Sequence, residues 1–190
     1  AELVEEPGEG LTTDRERETR AVVAARKLRV SRVIGEAAGP GGMVGGQTVD
    51  LQAAGQVPGF PLVLDEQGLQ AMHARKTGAL IRASAVSGAI MAGATNAMID
   101  AIDRYAREVG LAFQIVDDIL DVEGDAAALG KSTGKDARGA KPTYPSFFGV
   151  ERSRVLAADC AARARAALDQ GYLVDGWLLA IADWVVGRKS

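Results

Sequence analysis

The chain has one cysteine, one histidine and few aromatics, the last making up 5% of its 190 residues. A lone Cys160 cannot close an internal disulfide, so no cross-linked framework holds the fold, and a reducing compartment is the simplest setting. Its helical spacing with Leu156 and Ala164 marks a buried thiol that packs as a small hydrophobe. No apolar run approaches the roughly 18 residues of a membrane span, and the acidic N-terminus lacks a basic-then-apolar leader. A soluble, cytoplasmic protein without stable membrane insertion is the expectation. Basic excess is missing too. The formal net charge of −3 leaves no broad positive field for nucleic acid or an anionic membrane surface. No methionine opens the chain, and Ala1-Glu2-Leu3-Val4-Glu5-Glu6 reads like the last turns of a helix already under way, so a preceding segment is expected.

Strand alternation, repeats and low-complexity tracts are absent, whereas a 3.6-residue apolar period is present almost throughout. It predicts helices over 13–37 (capped by Thr12 or Thr13), 43–54, 66–92 (capped by Asp65), 96–123 (capped by Thr95), 145–169 and 173–187. A loop is expected over 124–144. The result is one all-α domain, 1–190, a bundle of long helices large enough for a sizeable core. The arginines of the first long helix are mixed with Glu16, Glu18 and Glu36, which reads as a solvated face rather than a phosphate-binding strip. Gly45 and Gly46, adjacent inside a helix, cost it about 2 kcal/mol relative to alanine. They belong where another backbone or a ligand must come close.

Phe113 to Asp121 is the chemically unusual stretch. Gln114, Asp117 and Asp121 fall on one helical face, beside an apolar stripe of Phe113, Val116 and Leu120, and no basic residue lies within four positions of Asp117. An internal control lies two turns upstream, where Asp100 and Asp103 each have an arginine four residues on, Arg104 and Arg107, and compensate themselves. Asp117, Asp118, Asp121, Glu123 and Asp125 instead accumulate five charges before any positive one. Such a cluster takes up a proton or a cation. Oxygen-only ligands on a rigid helix favour Mg²⁺. Aspartates that merely fray outward near a helix C-terminus are the plainer alternative, which the helix dipole disfavours.

Lys131, Lys135, Arg138 and Lys141 follow in a Gly-rich segment, and Lys76-Thr77-Gly78 adds a lysine and a hydroxyl in mid-helix. With the acids they form the two halves of a Mg²⁺-diphosphate site, carboxylates for the metal and ammonium groups for phosphate oxygens. His73 has no triad or metal-ligand spacing around it and reads as structural. Nowhere does a nucleophile stand beside a base, which argues against covalent hydrolase chemistry.

Five stretches in order resemble the trans-isoprenyl diphosphate synthases of the polyprenyl synthetase family, closest to the farnesyl and geranylgeranyl branch. They are Gly42-Met43-Val44-Gly45-Gly46-Gln47-Thr48-Val49-Asp50-Leu51, His73 to Arg82, Phe113 to Val122, Leu129 to Asp136, and Lys141 to Ser146. The resemblance implies an all-α homodimer of the isoprenoid synthase fold, helices around a central cavity, with Mg²⁺ as cofactor. It also implies that an allylic diphosphate ionises there and its carbocation joins isopentenyl diphosphate. By position, Asp117 and Asp121 would bind magnesium, with Asp118 supporting them. Lys131 and Lys76 would contact the allylic diphosphate and Lys141 would be an outer phosphate contact. Thr77 and Gln114 would stabilise the carbocation region, and Gln47 and Asp50 would line the same cavity.

In that family a first aspartate-rich motif and the isopentenyl diphosphate-binding basic residues lie upstream of Ala1. The chain thus corresponds to roughly the C-terminal two-thirds of such an enzyme, incomplete at the N-terminus. A non-catalytic regulatory or structural subunit of a synthase dimer is the alternative, although its expected signature, decay of the remaining motifs, is not seen. A terpene cyclase fits the lysine-threonine and Gly-Gly-Gln stretches poorly. Residues 1–190 alone are expected to be catalytically incomplete. Purified polypeptide of confirmed mass should give no robust condensation of isopentenyl diphosphate with an allylic diphosphate, and robust turnover would contradict this.

Overall fold

The computed structural model describes residues 14–128, 142–173 and 176–188. They form helices α1 (Asp14–Ala38), α2 (Met43–Ala53) and α3 (Glu66–His73), a π turn (Ala74–Gly78), then α4 (Ala79–Ala92), α5 (Asn96–Ala128), α6 (Tyr144–Phe148), α7 (Val150–Gln170) and α8 (Trp177–Gly187). No strand occurs among the described residues. Nor is any described helix long and apolar enough to cross a membrane.

At 33 residues α5 is the axis of the bundle, about 50 Å long. Its Tyr105, Val109, Ala112, Ile115, Val116 and Ile119 are buried against Ala157, Cys160, Ala164 and Leu168 of α7. Small residues on α7 let the two backbones approach closely. Leu69 and Met72 of α3, Tyr144 of α6, and Ala182 and Val185 of α8 close this core. The Tyr105 hydroxyl donates to the Leu178 carbonyl at 2.7 Å and ties α8 to α5. A second cluster of Val86, Ala89, Ile90 and Ile99 packs on Val30 and Val33 of α1.

The two expected caps that fall on described residues are formed. Asp65 accepts from the Gly68 amide at 2.7 Å, and Thr95 from the Met98 amide at 3.3 Å. The Thr12 or Thr13 cap and the helical piece at the extreme N-terminus lie outside the described residues. Four elements differ from expectation. The 66–92 helix is interrupted by the π turn, which inserts one residue and rotates the turns beyond it. The 145–169 helix is broken at Gly149, whose φ of 78° and ψ of 161° suit only glycine. α5 runs on to Ala128, into the expected loop. α8 begins at Trp177 and turns Trp177, Ile181 and Trp184 outward, leaving Leu178 and Val185 to face the core.

Buried Cys160 also has a consequence for pH. Burial pushes its thiol up from 9.0 to about 12, opposed in part by the neighbouring Arg163. Burial likewise raises Tyr105 from 10.0 to about 12. Each group loses its proton earlier in the unfolded chain, so the stability involved is intact below about pH 9 and is lost as pH rises towards 12. Cys160→Ala should flatten the first part of the alkaline decline in unfolding free energy, measured by urea titration. Identical slopes for both proteins would contradict this assignment.

Candidate diphosphate and metal site

Two glycine contacts bring three elements together. A Cβ on Gly46 would stand 2.2 Å from the Lys76 amide nitrogen, so α2 touches the backbone of the π turn. A Cβ on Gly110 would stand 3.1 Å from the Gly78 Cα, so the same turn touches α5. Gly110, Gln114, Asp117 and Asp121 occupy one stripe of α5, at i, i+4, i+7 and i+11. The π turn is therefore seated at the head of the very face that carries the amide and the two carboxylates. Arg75 fixes the other side by donating to the Pro40 carbonyl at 2.8 Å.

Lys76 lies at the middle of the π turn, and its ammonium donates to Asp50 of α2 at 2.5 Å. This pair is largely buried, which confines the long lysine chain to one direction. Gln47 lies one turn before Asp50 and is half-buried, as is Thr77. Gln114 is only 7% exposed. Lys131 and Lys141 lie outside the described residues.

The three aspartates diverge. The Asp117 side chain is 47% exposed and accepts from Arg188 at 3.0 Å. Arg188 lies just past α8, 71 positions away in sequence. Its guanidinium also stacks 4.1 Å from the Phe113 ring centre and donates to the Phe113 carbonyl. Asp121 is exposed. Asp118, expected beside the metal, is instead turned inward: it is 6% exposed and accepts from the Tyr144 amide at 2.9 Å, because position 118 is rotated about 100° from 117 on the helix. His73, also buried, places Nε2 3.9 Å from the same Asp118 oxygen and stacks on Tyr144. Among the described residues, no three His, Cys, Asp or Glu side chains converge on one metal position. The upstream control differs as well, since Asp103 is held by Arg82 of α4 at 2.6 Å besides Arg107 at 3.2 Å.

A profile of the polyprenyl synthetase family matches residues 17–169, most of the chain. The chain belongs to that family. Curated polyprenyl synthetase relatives include a dimethylallyltranstransferase from Fischerella ambigua, 39% identical over 90% of this chain and 48% of its own length. Farnesyl diphosphate synthase from Escherichia coli is 43% identical over 85% of this chain and 54% of its own. Among solved structures, a farnesyl/geranylfarnesyl diphosphate synthase from Zymomonas mobilis superposes with a TM-score of 0.68 at 29% identity, covering 90% of this chain and 57% of that one. Geranyltransferase from Helicobacter pylori, at 21% identity and a TM-score of 0.68, shares the all-α isoprenoid synthase fold. The chain spans about half the length of the curated relatives it matches, where two-thirds was expected.

Sequence reasoning missed Arg188, whose partner lies a whole bundle away in sequence; a lone arginine closing an apolar helix gave no signal. Its guanidinium is largely withdrawn from water, with the side chain 10% exposed. A double-mutant cycle of Asp117→Asn and Arg188→Gln should therefore give a coupling of about 1–3 kcal/mol in unfolding free energy. A coupling under about 0.3 kcal/mol would mark an ordinary surface pair.

Proposed function

We propose that the protein acts in trans-prenyl transfer, condensing an allylic diphosphate with isopentenyl diphosphate. Residues 1–190 supply one jaw of its Mg²⁺-diphosphate site as a single all-α domain. The observation that carries this reading is the π turn, which sets Lys76 and Thr77 at the head of the stripe bearing Gln114, Asp117 and Asp121. Membership of the polyprenyl synthetase family and relatives named for prenyl chain synthesis support it.

The donor set suits magnesium. Asp117 and Asp121 are oxygen ligands one turn apart and open to water, as suits an ion that keeps several waters and takes one or two carboxylates plus substrate phosphates. Magnesium, when bound, offsets the charge that builds on a departing diphosphate. Lys76, steered by Asp50, presents its ammonium to phosphate oxygens, and Lys131 and Lys141 extend that role. Thr77 and Gln114 bring a hydroxyl and an amide dipole to the carbocation end. Gln47 lines the same cavity. A cytoplasmic location and a homodimer belong to this reading, although relatives from plants carry chloroplastic or mitochondrial names.

Calorimetry with inorganic pyrophosphate tests the jaw directly. Binding should need Mg²⁺ and vanish with a chelator, and Asp117→Asn should weaken it about 10- to 100-fold. Binding indifferent to Mg²⁺, or unchanged in that variant, would contradict the reading.

A further inference from the structure

We infer that Asp118 is a positioning residue that locks the acidic face of α5 against the Lys76–Thr77 turn, and is not itself a metal ligand. This deepens the diphosphate reading and rests on it. The Asp118 carboxylate is 6% exposed and lies at a junction of three elements. It accepts from the Tyr144 amide at 2.9 Å, which fixes α6. It lies 3.9 Å from Nε2 of His73, the last residue before the π turn. The His73 ring stacks on Tyr144 with centroids 5.7 Å apart, and Tyr144 stacks on Phe148 at 5.9 Å, which closes the junction.

Thr143 and Ser146 bond reciprocally in a capping box, with the Thr143 amide donating to Ser146 Oγ at 3.0 Å and the Ser146 amide to Thr143 Oγ1 at 3.2 Å. The donor that Asp118 receives is therefore held in a fixed direction. A carboxylate buried among such partners sets both the rotation of α5 and the end of α3. Asp117 precedes it on one element, and Lys76 is three residues beyond His73 on the other. Without that common acceptor the Asp117–Asp121 face and the Lys76 ammonium lose their mutual alignment, although each side chain stays in place on its own helix.

The test compares Asp118→Asn, which keeps an acceptor oxygen for the Tyr144 amide, with Asp118→Ala, which removes it. Mg²⁺-dependent affinity for inorganic pyrophosphate should fall about tenfold or more in Asp118→Ala and stay within about threefold in Asp118→Asn. A metal ligand would behave otherwise, with Asp118→Asn losing affinity as heavily as Asp117→Asn; that result would overturn the inference. A ligand-free arm separates it from the diphosphate reading. In ¹H–¹⁵N spectra, Asp118→Ala should shift the amides of Lys76, Thr77 and Asp121 while those of Ile90 and Ile99, in the second core cluster, stay put; Asp118→Asn should leave all of them nearly unmoved. If Asp118→Ala does not fold, Asp118→Asn carries the test, since unaltered affinity and spectra are required of it. Unshifted Lys76, Thr77 and Asp121 amides in a folded Asp118→Ala would refute positioning whether or not pyrophosphate binds. A wild-type chain that fails to bind Mg²⁺-pyrophosphate, with the predicted shifts present, would instead overturn the diphosphate reading alone.

Discussion

Carboxylates set into an apolar helix need surroundings that tolerate their charge, and Asp117, Asp118 and Asp121 of α5 have three different ones. Asp117 is met by Arg188 from beyond α8, Asp118 by the Tyr144 amide and the His73 ring, and Asp121 is exposed. Adjacent acids that all faced one way would repel one another, and dividing them among different surroundings lessens that repulsion. The division also separates roles. Asp118 is spent inside the fold, and Asp117 and Asp121 remain on the outer face.

The turn carrying Lys76 comes to the head of that face through backbones that almost touch. Gly46 admits the π turn to α2, and the Gly78–Gly110 pair admits it to α5. A π turn widens the helix and aims consecutive side chains away from their regular direction, which is how Lys76 reaches Asp50 while Thr77 follows beside it. Rigid packing upstream makes this placement durable. Leu69 and Met72 anchor α3 in the main core just before the turn, and Val86 and Ile90 anchor α4 in the second cluster after it.

Much of this was legible in the sequence, because it depends on local rules. Helical periods gave all the long elements, and Asp65 and Thr95 announced the ends they cap. The cost of Gly45 and Gly46 within one helix pointed to a close backbone approach, which the Gly46–Lys76 contact supplies. Bare acids implied a counter-charge from outside α5, and Arg188 is one such charge. The features that stayed hidden are non-local or hinge on one residue of phase. The π turn leaves no compositional trace, Gly149 breaks a helix through a single backbone conformation, and the inward turn of Asp118 comes from 100° of helical rotation together with a partner at Tyr144. Which face of α8 meets α5 and α7 is likewise set by packing, and it is the one carrying Leu178, Ala182 and Val185, with Trp177 and Trp184 turned outward.

The central claim is that the Asp117–Asp121 face and Lys76 form one Mg²⁺-diphosphate jaw. Anomalous diffraction from crystals grown with Mn²⁺ and inorganic pyrophosphate tests it most directly. A manganese peak is expected about 2.0–2.2 Å from carboxylate oxygens of Asp117 or Asp121, with pyrophosphate oxygens bridging towards Lys76 and Arg188 displaced from Asp117. Manganese bound elsewhere, with Arg188 still on Asp117 and no pyrophosphate near Lys76, would contradict it.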